Sequence, residues 1–205
     1  MEQQTVLNKV VIIVITKTPD VPVKTRIAQT EGPHKAHMIY RELLEKTASS
    51  LEKLPHYVAY AGTSGPGDLR TIFTKATTFI SQKGNDLGDR MKNACKQCYK
   101  HGYTHYILIG ADCPQRSCDC ILQAANHLKE GADVVLGPVE DGGYHLAGVN
   151  NSGLKIFDAT QWGTSKLLKE TLTISNTFNL RTVLMPTLSD IDSFNDYIRW
   201  KTHNQ

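Results

Sequence analysis

The sequence lacks the features that mark secreted, membrane-spanning and nucleic-acid-binding proteins. The polar N-terminus, MEQQTVLNK, has no charged segment followed by an apolar one, and the longest apolar run, Val10 to Ile15, is too short to cross a bilayer. Lysine and arginine form no long run, and the formal net charge of the 205 residues is only +3. These absences predict a cytoplasmic protein that binds neither membranes nor nucleic acid.

Cysteine is scarce and odd in number. Five cysteines in a chain without a secretion signal favour reduced thiols over disulfides. The spacings of Cys95 with Cys98 and of Cys118 with Cys120 could in principle supply four zinc ligands. Both pairs lie in helix-like stretches without intervening glycines, so the sequence favours free thiols over a structural zinc site.

Hydrophobic residues make up 40 % of the chain and charged residues 21 %, which is enough for one buried core. We expect a single α/β domain over residues 1–205. Strand patterns occupy residues 10–16, 57–61, 77–81, 105–110, 133–137, 144–149 and 180–185, and helical patterns residues 40–54, 87–101, 117–130, 165–176 and 193–200, with a loop over residues 17–32. This alternation predicts a mostly parallel sheet with helices on both faces, where ligands bind at the carboxyl ends of strands.

A basic loop follows the first strand. Its sequence, KTPDVPVKTR, places Lys17, Lys24, Thr25 and Arg26 just beyond the carboxyl end of that strand. Lysine supplies a point charge and arginine a planar fork of donors, which together suit a polyphosphate. The alternative interpretation is an ordinary solvated basic loop.

Acidic residues follow two other strands. Asp112 lies in the segment GADCP, and Asp190 and Asp192 lie in the segment DIDS. Carboxylates at strand ends can hold a divalent cation against phosphate oxygens. Alternatively, Asp112 forms a turn and Asp192 caps the last helix.

The segment GPVEDGGYH combines acids with glycines. Asp141 precedes Gly142 and Gly143, which permit unusual backbone angles and the close approach of a ligand. The alternative is a plain hairpin turn, for which Asp-Gly is a strong signal. His145 should face the side of the strand opposite Tyr144, and we interpret it as structural.

Two further motifs open helices. Gly88 and Asp89 lie in GNDLGDR, where an anion or a base could meet the start of the helix. Thr164 and Ser165 lie in WGTS at the start of another helix and could do the same. Both are weaker signals than the strand-end motifs.

Taken in order, PVKTR, GNDLGDRM, GADCP, PVEDGGYHLAGV, WGTS and LSDIDS resemble one family. It is the bacterial family DUF2064, which has glycosyltransferase-A character and is related to the nucleotidyltransferases of molybdenum-cofactor and deazaflavin-cofactor synthesis. The resemblance runs from about Val11 to Tyr197. It implies a three-layer α/β/α nucleotide-diphospho-sugar transferase fold.

The resemblance also implies roles for individual residues and a cofactor, Mg²⁺ or Mn²⁺. Catalytic roles fall to Lys24, Asp112 and Asp141. Contacts with the nucleotide fall to Lys17, Lys24, Arg26, Gly88 and Asp89. Contacts with the acceptor fall to Asp141, Gly142, Gly143, Thr164 and Ser165. The metal ligands would be Asp112, Asp190 and Asp192.

The sequence departs from related patterns in three places. The first loop is one residue shorter than usual and has Asp20-Val21-Pro22 where a glycine is expected. The Gly-Gly-x-Gly-x-Arg signature of sugar-phosphate nucleotidyltransferases is absent, and Asp112 stands alone where many glycosyltransferases have Asp-x-Asp.

Three functions remain open at this point. The first is metal-dependent nucleotidyl transfer from a nucleoside triphosphate to a small phosphorylated or carboxylated acceptor. The second is glycosyl transfer from a nucleotide sugar, for which Asp141 would be the base. The third is a nucleotide-binding protein without turnover, suggested by the shortened loop.

Overall fold

A computed structural model describes residues 9–203, and its centre is one sheet of seven strands. The spatial order of the strands is β3-β2-β1-β4-β6-β5-β7. The strands are β1 (Val10–Lys17), β2 (His56–Ala61), β3 (Thr78–Ser81), β4 (His105–Ile109), β5 (Val134–Pro138), β6 (Tyr144–Asn150) and β7 (Thr182–Leu184).

The helices lie between the strands in the chain. They are α1 (Thr25–Glu31), α2 (Pro33–Ser50), α3 (Gly67–Ile72), α4 (Leu87–Tyr99), α5 (Cys118–Lys129), α6 (Leu167–Thr177) and α7 (Phe194–His203), with a 3₁₀ helix at Gly153–Asp158. Among the described residues, no helix is long and apolar enough to span a membrane.

The sheet is mostly parallel, as the sequence predicts. Strand β6 is antiparallel to both of its neighbours, β4 and β5, whereas the other pairs run parallel. The start of β6 therefore lies at the same edge of the sheet as the carboxyl ends of the other strands. Loops from almost every strand converge at this edge.

Helices cover both faces of the sheet. On one face, α2, α3 and α5 pack against side chains such as Ile12 and Val14 of β1. On the other face, α4 and the 3₁₀ helix pack against Val11 and Ile13 of the same strand. Because consecutive side chains of β1 are buried on opposite faces, the run VVIIVI is apolar at every position. Helices α1 and α7 pack against α2 around Ile27 and Ile191.

The prediction of a continuous loop over residues 17–32 is wrong in its second half. Residues Thr25–Glu31 form α1, which buries one apolar side chain, that of Ile27. A seven-residue helix with a single buried position has no amphipathic repeat, so periodicity does not reveal it. Helix α3 and the 3₁₀ helix also went unpredicted, and both are similarly short.

Candidate functional site

A cleft of about 500 Å³ opens at the carboxyl edge of the sheet. It lies above β1 and β4 and is bounded by the start of β6 and by α1, α4 and the segment before α6. Its charged lining comes from Lys17, Lys24, Arg26, Arg90, Asp112 and Asp192. Basic and acidic side chains thus share one cavity, as the strand-end rule predicts.

Lys24 is the most constrained charged residue of the cleft. It precedes α1 in a left-handed conformation, with φ 46° and ψ 51°. Only 5 % of its side chain is exposed, and its Nζ donates to Asp112 Oδ1 and to the carbonyl oxygen of Ile191. Its distance to Asp192 Oδ1 is 3.7 Å. The left-handed backbone is costly for a lysine, so the surrounding contacts must hold it in place.

The loop before α7 is tied to the loop after β4. The Ile191 amide donates to the Asp112 carbonyl oxygen at 2.9 Å. Arg26 Nη1 lies 3.2 Å from Asp192 Oδ2, and Arg26 is largely exposed. These contacts bring Lys24, Arg26, Asp112 and Asp192, which are far apart in sequence, into one ionic cluster.

Three carboxylates form a separate acidic group. One oxygen each of Asp141, Asp190 and Asp192 lies within 4.8 Å of the others. Burial, followed by the negative charges of Asp192 and Asp141, raises the pKa of Asp190 to about 6. Asp112 is not in this group and instead pairs with Lys24. The sequence had grouped Asp112 with Asp190 and Asp192 as metal ligands, whereas the geometry places Asp141 beside them.

The shortened first loop is anchored by the aspartate that replaces its glycine. The Asp20 carboxylate accepts bonds from the amides and hydroxyls of Thr63 and Ser64 at 2.7–3.2 Å, and from the Thr18 hydroxyl. These donors hold the pKa of Asp20 far below its ordinary range, with the bond from Thr18 as the largest cause. The loop that carries Lys17 and Lys24 is therefore fastened to the loop after β2.

The Gly142-Gly143 segment forms the tight connection between the antiparallel strands β5 and β6, as the hairpin interpretation predicts. Gly142 has φ +89°, and a Cβ there would lie 2.2 Å from the Ser165 carbonyl oxygen. Its own carbonyl oxygen accepts from the Leu168 amide at 2.9 Å. The Asp141 carboxylate accepts from the Gly143 amide at 2.9 Å. The hairpin and the segment with Thr164 and Ser165 are therefore in contact.

Gly88 and Asp89, which the sequence predicts to contact the nucleotide, do not line the cleft. Gly88 is buried, and a Cβ there would lie 2.2 Å from the Phe157 carbonyl oxygen and 3.0 Å from the Trp162 ring. Asp89 lies 3.5 Å from Lys92 on the surface of α4. The same turn contributes Leu87, Arg90 and Met91 to the cleft instead. Gly88 thus serves close packing in this structure.

Two residues near the cleft were missed by sequence reasoning. Arg116 is 3 % exposed and donates to the carbonyl oxygens of His145 at 3.0 Å and Gly110 at 2.6 Å. It links the loop of Asp112 to β6, where a bulge leaves His145 as the extra residue. Gln82, just after β3, also lines the cleft. Neither has a sequence signal, because each acts through backbone carbonyls brought together only by the fold.

The cysteines show no sign of a zinc site. Cys95 and Cys98 are buried on α4, and burial raises the pKa of both thiols. Among residues 9–203, the acidic group is the one cluster of three or more metal-ligating side chains.

Solved structures share this architecture. A proposed nucleotide-diphospho-sugar transferase from Desulfovibrio desulfuricans G20 is 27 % identical, with a TM-score of 0.85 over 97 % of this chain and 89 % of that chain. A cytidylyltransferase from Leptospira borgpetersenii serovar Hardjo-bovis is 15 % identical, with a TM-score of 0.63 over 95 % and 85 %. Rv0371C of Mycobacterium tuberculosis H37Rv, solved with manganese, is 12 % identical, with a TM-score of 0.55 over 94 % and 97 %.

These likenesses confirm the nucleotide-diphospho-sugar transferase fold, and the first two of these neighbours bear the names of transferases. No curated protein matches the chain. Residues 43–164 match the profile of a family described as uncharacterised proteins conserved in bacteria, DUF2064. This match covers more than half of the 205 residues, and the chain belongs to the DUF2064 family.

Proposed function

We propose that this protein transfers a nucleotidyl group from a nucleoside triphosphate to a small phosphorylated or carboxylated acceptor. The observation that carries the proposal is the cleft itself, in which the buried ammonium of Lys24 and the exposed guanidinium of Arg26 adjoin carboxylates at the strand ends. Such a cavity matches the charge of a triphosphate better than that of a neutral sugar.

The cations of the first loop would bind the phosphates. The anchoring of that loop by Asp20 and the burial of Lys24 fix the ammonium without a ligand. Charges held in position before binding stabilise a transition state without reorganisation. When phosphate oxygens enter, they can replace the carboxylates as partners of Lys24 and Arg26.

The acidic group fits a hard divalent cation. Mg²⁺ and Mn²⁺ prefer oxygen ligands, and the closely spaced oxygens of Asp141, Asp190 and Asp192 offer three. Burial, together with the negative charges of Asp192 and Asp141, raises the pKa of Asp190, and a bound cation would offset that crowding of like charges. A bound ion would supply charge stabilisation at the phosphates. The manganese complex of the Mycobacterium tuberculosis neighbour supports this assignment.

The acceptor would approach from the side of the hairpin. There Asp141, Gly142 and Ser165 lie together, and Thr164 and Ser165 are exposed residues. An oxygen of the acceptor would attack the α-phosphorus in line, and pyrophosphate would leave. A phosphate or carboxylate oxygen is already ionised at neutral pH, so this step needs no general base.

Glycosyl transfer is the second candidate, because the relative with 27 % identity is a proposed nucleotide-diphospho-sugar transferase. The acids and the fold serve both reactions. Attack by a neutral hydroxyl would require a base, for which Asp141, in the connection between β5 and β6, is the candidate. The two candidates differ in their products, since glycosyl transfer releases a nucleoside diphosphate and nucleotidyl transfer releases pyrophosphate.

Binding is the first test of the proposal. Wild type, Lys24→Met and the surface control Lys201→Met would be titrated with nucleoside triphosphates in Mg²⁺, Mn²⁺ or EDTA. The control removes a lysine of α7 that lies outside the cleft and pairs with Glu42 of α2. We expect metal-dependent binding in wild type and the control, and at least a tenfold loss in Lys24→Met. Failure of wild type to bind any triphosphate with metal contradicts the proposal.

A further inference from the structure

Asp192 belongs both to the ionic cluster and to the acidic group. Its Oδ2 accepts a hydrogen bond from Arg26 Nη1 at 3.2 Å, and its Oδ1 lies 3.7 Å from Lys24 Nζ. One of the same two oxygens lies within 4.8 Å of an oxygen of Asp141 and an oxygen of Asp190. Whichever oxygen of Asp192 joins those two carboxylates is therefore also close to a side-chain cation.

The backbone around Asp192 is held from both sides. On one side, Ile191 is 2 % exposed, and its amide donates to the Asp112 carbonyl oxygen at 2.9 Å. On the other side, the amides of Asp192 and Ser193 donate to the Asp196 carboxylate at 3.3 Å and 2.7 Å. Because this backbone is fixed, a change of partner at the Asp192 carboxylate falls to the cations.

Of the two cations, Arg26 is the one that is free to leave. Its side chain is 71 % exposed, and Asp192 is its one ion-pair partner among the described residues. The side chain of Lys24 is only 5 % exposed, and it also donates to Asp112 and to the carbonyl oxygen of Ile191. An exposed pair between an arginine and a carboxylate contributes little stability, so the pair of Arg26 with Asp192 can open readily.

We propose that Arg26 and a divalent cation compete for Asp192, so that binding of the metal ion frees Arg26 for the phosphates. This inference rests on the proposed function and adds an order of events within its site. A Mg²⁺ or Mn²⁺ ion on the acidic group would place a second centre of positive charge beside the guanidinium, and the two would repel each other. By linkage, Arg26 weakens the binding of the metal by the same factor by which the metal weakens the pair of Arg26 with Asp192.

The competition couples the metal site to the phosphate site. In the free protein, the guanidinium of Arg26 partly neutralises the acidic group and lowers its affinity for a divalent cation. Once the ion is bound, Arg26 remains in the lining of the cleft with its charge unpaired, and a phosphate supplies a new anionic partner. The metal ion and a polyphosphate therefore favour each other's binding through Arg26.

Metal binding without nucleotide tests the competition. Free Mn²⁺ would be measured by electron paramagnetic resonance during titration of wild type, Arg26→Gln and Arg26→Lys at low ionic strength. Arg41→Gln, which removes an exposed arginine paired with Glu45 on α2, is the control for the loss of one positive charge.

We expect Arg26→Gln to bind Mn²⁺ about threefold or more tightly than wild type. Arg26→Lys keeps the positive charge and should gain less, and Arg41→Gln should match wild type. Unchanged or weaker Mn²⁺ binding by Arg26→Gln overturns the inference. An equal gain in Arg41→Gln overturns it as well, because the effect would then belong to net charge alone.

A second readout follows Arg26 itself. The Nε–H signal of Arg26 in ¹H–¹⁵N spectra would be assigned by its absence from Arg26→Gln. Saturating Mg²⁺ should move this signal toward that of a solvated arginine, whereas the signal of Arg41 should stay in place. An Arg26 signal that does not move at saturating Mg²⁺ overturns the inference.

Both readouts are taken without nucleotide, so they separate this inference from the function beneath it. A gain of Mn²⁺ affinity in Arg26→Gln, with no triphosphate bound by wild type, supports the competition and refutes nucleotidyl transfer. Metal-dependent binding of a triphosphate, with no effect of Arg26→Gln on Mn²⁺, refutes the competition and leaves nucleotidyl transfer standing. Absence of Mn²⁺ binding by every variant refutes both the competition and the metal site.

Discussion

The buried imidazole of His145 predicts a specific loss of stability in mild acid. His145 is 6 % exposed, and neither ring nitrogen has a hydrogen-bond partner. Burial, together with the charge of Arg116, lowers its pKa from 6.5 to about 4. Protonation therefore favours the unfolded chain. The stability that His145 contributes is complete above pH 6.5 and is lost as the pH falls toward 4.

The magnitude follows from the two pKa values. The pKa of His145 is 6.5 in the unfolded chain and about 4 in the folded protein. By linkage, the free energy of unfolding therefore falls by about 2 kcal/mol between pH 7.5 and pH 5. The full shift corresponds to about 3 kcal/mol at still lower pH. These figures concern His145 alone, since other groups titrate in the same range.

The assay is urea unfolding followed at pH 7.5 and pH 5 for wild type and two variants. His145→Leu removes the titrating group, and His34→Leu removes an exposed histidine as a control. Between pH 7.5 and pH 5, the free energy of unfolding of wild type and of His34→Leu should each fall by about 2 kcal/mol more than that of His145→Leu. If His145→Leu shows the same pH dependence as wild type, the reasoning about its burial is refuted.

Three further changes test other parts of the structure. Gly142→Ala should destabilise the protein by about 2 kcal/mol or more, because φ is +89° and the new Cβ meets the Ser165 carbonyl; near-wild-type thermal unfolding would contradict this. Asp20→Ala should release the first loop and speed its amide hydrogen exchange while the core strands stay protected; unchanged exchange of that loop would contradict its anchoring. Asp190→Asn should weaken Mn²⁺ binding at least tenfold in calorimetry, whereas the exposed Asp119→Asn on α5 should not.

Much of the fold was predictable because its signals are local. The run VVIIVI is apolar at every position, since β1 is central and packs against helices on both faces. The tight turn of Gly142 and Gly143 was also readable, since Asp-Gly marks hairpins. Helix α1 could not be predicted, because a helix with one buried residue, Ile27, shows no helical repeat of apolar residues.

The candidate site was only partly predictable. Strand-end motifs indicated that Lys24, Arg26 and Asp192 would meet, and they do. The position of Asp141 beside Asp190 and Asp192 was not visible, because it depends on how the loop before α7 is placed against the β5–β6 hairpin. Register and loop placement are long-range properties that no short motif encodes.

The most direct test of the account is the product formed from a nucleoside triphosphate. Purified protein with Mg²⁺ would be incubated with the triphosphate it binds best and a panel of phosphorylated and carboxylated acceptors, and the phosphorus products resolved by ³¹P NMR. The account predicts pyrophosphate in equal amount to a nucleotidylated acceptor, both abolished by Asp192→Asn. Release of a nucleoside diphosphate from a nucleotide sugar, with no pyrophosphate from any triphosphate, would contradict it.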